Sequence, residues 1–91
     1  MLKSTENKGF QMTFTNGYTI SVQFGRGNYC EHKTKMPRPY KKAPSLWESK
    51  DAEIAVFDPK GNCMALQGTN YALGYLNADE VAQWIDKVSK F

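Results

Sequence analysis

No stretch of the 91 residues approaches the roughly 20 consecutive apolar side chains that a membrane-spanning helix requires, so no membrane partner is expected. Residues 1–8 read as a polar lead-in without an apolar signal region, so a cytoplasmic location is expected. Cysteine is scarce. Cys30 and Cys63 are too few for a disulfide framework, and in a reducing compartment they are expected as free thiols. Histidine is scarcer still, with His32 alone. Cys30 and His32 could supply two zinc ligands, but a structural site takes four, and only Cys63 and scattered carboxylates remain to complete one. Neither metal nor cofactor is expected.

The same shortage argues against an enzyme. A Cys30–His32 nucleophile pair would need the two side chains facing each other and a third group to orient the base, and no motif provides one. Asp51, Glu53 and Asp58 lie within eight residues, but they form a general acid/base set only if they face one cleft. Solvation of a strand face accounts for them without chemistry.

What is plentiful is aromatic area: five Tyr, five Phe and two Trp, which help a chain of this length assemble a core. One α+β domain spanning residues 1–91 is expected. Phe10, Met12 and Phe14 alternate with polar residues, Asn16-Gly17 suits a two-residue type I′ turn, and Tyr18, Ile20, Val22 and Phe24 alternate after it. This predicts a hairpin with one face on a core and a hydroxyl and amide face in water. Ala52–Phe57 predicts a third strand, 58–62 a turn, and Cys63–Leu66 a fourth strand closing a second hairpin. Tyr71–Tyr75 reads as a short fifth strand or an irregular approach to a helix.

Asn77 predicts an N-cap, with Glu80 three residues on for a capping box and a Leu76–Val81 staple. The stripe Val81, Trp84, Ile85, Val88 then predicts a C-terminal helix with its apolar side on the sheet. The expected architecture is a mostly antiparallel sheet of four or five strands, built from two hairpins, with that helix packed across one face.

Charge is segregated. Between Arg26 and Lys42 stand six basic residues against Glu31 alone, a local charge of +5 in a chain whose total is +3. All of this stretch but its first two residues lies in a loop, about residues 28–49, that Pro37, Pro39 and Pro44 keep from regular structure. Loops of such length are uncommon in small domains unless functional or disordered. Cations beside Tyr40, with Trp47 following, combine phosphate contacts with stacking, the pattern of single-strand nucleic-acid binding. The candidate binding residues are Arg26, Lys33, Lys35, Arg38, Tyr40, Lys41 and Lys42. Gly25-Arg26-Gly27-Asn28 adds a weak anion candidate, since a turn can aim its N–H groups at a phosphate.

The run Phe10–Cys30 (FQMTFTNGYTISVQFGRGNYC), with Ala52–Asp58 (AEIAVFD), Gly61-Asn62 and Gly74–Val81 (GYLNADEV), resembles a family of small proteins encoded in bacteriophage and prophage genomes. The resemblance covers a little under half the chain and leaves out His32–Trp47. It implies a phage origin and action in the cytoplasm of a bacterial host. Small phage proteins often inhibit host enzymes or host immunity, as anti-CRISPR proteins and proteins that sequester signalling nucleotides do. The expectation is therefore a non-enzymatic binding protein that inhibits a bacterial defence component. It would block a target or sequester a signalling nucleotide, its partner being the host protein or that protein's nucleic-acid or nucleotide ligand. A single-stranded nucleic-acid-binding protein and a small phage assembly protein forming a homo-oligomer are the alternatives.

Overall fold

The computed structural model describes residues 1–5, 9–25, 28–31 and 48–91. Five strands, β1 (Leu2–Ser4), β2 (Gly9–Thr13), β3 (Thr19–Gln23), β4 (Asp51–Phe57) and β5 (Leu73–Asn77), precede one helix, α1 (Ala78–Ser89). The strands lie in the sheet in chain order, β1-β2-β3-β4-β5, and every neighbouring pair is antiparallel. The expected α+β architecture is what forms.

The β2–β3 hairpin has the expected strands but a different turn. Phe14 N–H donates to Tyr18 O and Gly17 N–H to Phe14 O, both at 2.9 Å, so the loop holds three residues rather than two. Only Gly17 takes positive φ, at 87°, while Asn16 does not. Register explains the choice. With a two-residue loop, Phe14 would face Thr19, and every apolar side chain would oppose a polar one. The longer loop pairs Phe10 with Val22 and Met12 with Ile20, which keeps the apolar residues on one face.

Released from the turn geometry, Asn16 takes another role. Its Nδ2 donates to Val88 O at 3.0 Å, and more weakly to Ser89 O and Phe91 O, at the C-terminal end of α1. Its Oδ1 accepts from Tyr18 N–H at 3.0 Å. The hairpin tip is thereby fastened to the last carbonyls of the helix, which have no partner within the helix itself. Asn16→Ala is expected to cost about 1 kcal/mol by chemical denaturation. Asn16→Asp should cost more, because it removes the donor and sets a negative charge at the negative end of the helix dipole. An aspartate variant as stable as the parent would sink this account.

The helix starts where its cap predicts. Asn77 Oδ1 accepts from Glu80 N–H at 2.9 Å, and Glu80 Oε1 accepts from Asn77 N–H at 3.1 Å, which completes the capping box. Val81 and Val88 are buried against Ile20, Val22, Ala52, Ile54 and Val56, with Trp84, Ile85 and Leu76 partly buried around them. α1 contacts β3, β4 and β5.

Three further expectations need correction. The polar lead-in 1–8 contains β1, which pairs Leu2 with Met12 and Ser4 with Phe10. All three of its residues are exposed, so no apolar alternation marked it. The second hairpin also forms only in part. Residues 58–62 turn as expected, with Gly61 N–H donating to Asp58 O, but Cys63 makes a single bridge to Phe57 instead of opening a strand. On that edge of β4, Asp51, Ala52 and Ile54 pair instead with Asn77, Leu76 and Leu73 of β5. The hydroxyl face is not all in water either, since Ser21 is only 7% exposed and its Oγ accepts from Gln23 Nε2.

Candidate functional site

Alternation along β4 sends Ala52, Ile54 and Val56 to the helix side and Asp51 and Glu53 to the opposite face. Both acids are engaged there by the segment that follows β3. Glu53 Oε1 accepts from Asn28 Nδ2 at 3.3 Å and Oε2 from Tyr29 N–H at 3.2 Å. Asp51 Oδ1 accepts from Glu31 N–H at 2.6 Å, and Glu31 Oε1 in turn accepts from Lys50 N–H at 2.8 Å. A carboxylate that receives backbone N–H groups makes charge-assisted bonds, stronger than neutral ones. These acids therefore hold residues 28–31 on the sheet and bring Glu31 beside Lys50.

Asp58 serves elsewhere, in the 58–62 turn, where its Oδ1 accepts from Lys60 and Asn62 N–H groups at 2.9 Å each. The Asn62 backbone N–H, assisted by the Asn62 side chain and by Lys60, holds this carboxyl below its ordinary value. That help to the turn is complete at neutral pH and is lost as the pH falls through the lowered value. The three acids considered as an acid/base set are thus divided between two structural duties.

The glycine turn is similarly occupied. Gly25 N–H donates to Asn28 Oδ1 at 3.0 Å, and Asn28 N–H donates to Gly25 O at 3.1 Å, so neither described N–H is left for an anion. Cys30 is 1% exposed and its Sγ donates to Gly25 O at 3.4 Å. Both cysteines are free thiols, as expected, Cys63 being exposed. The sequence-derived binding residues Arg26, Lys33, Lys35, Arg38, Tyr40, Lys41 and Lys42 lie outside the described residues, as do His32 and Trp47.

The feature that sequence reasoning missed is on β5. Ala52 pairs with Leu76 and Ile54 with Leu73, so two residues, Gly74 and Tyr75, stand opposite Glu53 alone. This bulge changes the parity of the strand. Leu73 and Leu76 are three apart and would face opposite ways on a regular strand, yet both pack against the core. Tyr75 absorbs the extra residue with φ 58°, the one non-glycine residue with positive φ among those described. Such a conformation is an outlier for a bulky side chain and carries a cost of order 1–3 kcal/mol.

The bulge turns Tyr75 out beside Tyr29. Their ring centroids are 6.5 Å apart at an interplanar angle of 50°, and the residues are 56% and 51% exposed. Tyr75 N–H donates to Tyr29 O at 2.8 Å. A Cβ at Gly74 would stand 2.3 Å from Tyr29 Cβ, so glycine there is what lets the two segments meet. The signal in the sequence was the odd spacing of Leu73 and Leu76 around Gly74, which a strict period of two cannot place on one face.

No protein-family model, curated protein or solved structure matches the chain.

Proposed function

We propose that this chain is a non-enzymatic binding protein that inhibits a bacterial defence component, by engaging that component or by withholding its nucleic-acid or nucleotide ligand. The observation that carries the reading is the anchorage at Glu31, Lys50 and Asp51, which roots both ends of the span containing most of the local +5 charge on one spot of the sheet. A cationic segment held at both ends favours anionic partners and raises their encounter rate. The contact residues assigned are Lys33, Lys35, Arg38, Tyr40, Lys41 and Lys42 within it and Arg26 just before it. The cations meet phosphates or carboxylates, and Tyr40 stacks.

The test is capture from the bacterial host with the tagged protein, analysing bound protein, nucleic acid and nucleotides together. Replacing Lys33, Lys35, Arg38, Lys41 and Lys42 with Ala is expected to abolish capture and inhibition while leaving the unfolding midpoint unchanged. Full-strength capture or inhibition by that variant would remove the assignment. A large, stable homo-oligomer with nothing bound would instead favour the assembly reading, through the exposed edge strand β1.

A further inference from the structure

Resting on that reading, we infer that Tyr75, with Tyr29 beside it, is a stacking platform for the bases of a single-stranded nucleic acid. Three observations converge on it. The backbone under both rings is fixed before any ligand arrives: Tyr29 N–H is held by Glu53, Tyr29 O by Tyr75 N–H, and the bulge is set by Leu73 and Leu76 in the core. The rings themselves are left about half in solvent, although Tyr75 occupies a costly conformation that glycine or asparagine would adopt more easily. A tyrosine in such a position turns outward a surface that the core does not use.

The third observation is charge. Tyr29 lies between Arg26 and Lys33 in the sequence, within the stretch of net +5. Aromatic faces on a chain that also carries such a cationic stretch match the two contacts a single strand offers, a base with a π-face and a phosphate. An exposed pair, reached from solvent, suits a strand passing over it. A free mononucleotide takes most of its affinity from an enclosing pocket.

The experiment compares a labelled oligothymidylate of about 12 nucleotides, within the usual site sizes, with an abasic oligomer of the same length and charge. Binding is read by fluorescence anisotropy at low salt. The parent protein is expected to bind the base-bearing strand on the order of 10- to 100-fold more tightly than the abasic one. Tyr75→Asn removes the ring while tolerating positive φ, and it should bring the two strands to nearly the same affinity without weakening the abasic one. Tyr75→Phe should behave like the parent.

Equal binding of both strands by the parent, or a preference that survives Tyr75→Asn, overturns the platform. So does the absence of binding to either strand. The variant lacking Lys33, Lys35, Arg38, Lys41 and Lys42 separates this from the wider reading. If it loses both strands while the parent binds them equally, the anionic partner stands and the stacking falls.

Discussion

Ile54→Ala is expected to lower stability by about 2–5 kcal/mol, enough to take much of what holds a domain of this size folded. Ile54 is 0% exposed, lies in the middle of β4, and pairs with Val22 on one side and Leu73 on the other. Truncation would open a void under α1 that neighbouring strands cannot close without breaking register. The measurement is a urea unfolding curve, in which the midpoint should fall while the slope stays constant. Ile54→Val, which removes one methylene, should cost only about 0.5–1.5 kcal/mol. A loss below that smaller figure for alanine would show that the core is not organised around β4.

Gly9→Ala should also be severe, for a different reason. A Cβ at Gly9 would stand 1.9 Å from Val22 O and 2.9 Å from Gln23 Cα, both backbone atoms of β3. Backbone in a strand paired on both sides has little room to yield, so the start of β2 must move away from β3. A loss of about 1–3 kcal/mol or more is expected. Because Thr5 N–H donates to Gly9 O, the shift should spread to β1. Hydrogen exchange tests this directly: amides of β1 and of the first residues of β2 should lose protection, while β4 and α1 keep theirs. Unchanged exchange at Gln11 and Thr5 would contradict the close approach.

These residues also mark where the sequence was legible. The β2–β3 hairpin and α1 were readable because their signals are local: alternation on either side of Asn16-Gly17, and a cap, a box and a stripe within twelve residues of Asn77. The turn type at Asn16 was misjudged because register is decided by which side chains face each other across the hairpin, and a two-residue signature ignores that. β1 was missed because both its faces are exposed, so hydrophobicity leaves no period in Leu2–Ser4. Cys63–Leu66 reads as a strand in the sequence because a good turn precedes it. β5 won the place beside β4 because its bulge brings two leucines to the core. Gly9 shows no sequence signal for the approach of Val22. Of the candidate site, the charge was legible, whereas the Tyr29–Tyr75 pair arises from a contact between residues 46 positions apart.

The clasp formed by Glu31, Lys50 and Asp51 bears on how this chain tolerates change. With the two ends of an intervening span pinned together, the conformational penalty for the span depends on its length only logarithmically, about 0.6 kcal/mol for each doubling. A change in the length of the span between those ends therefore alters its closure cost by little.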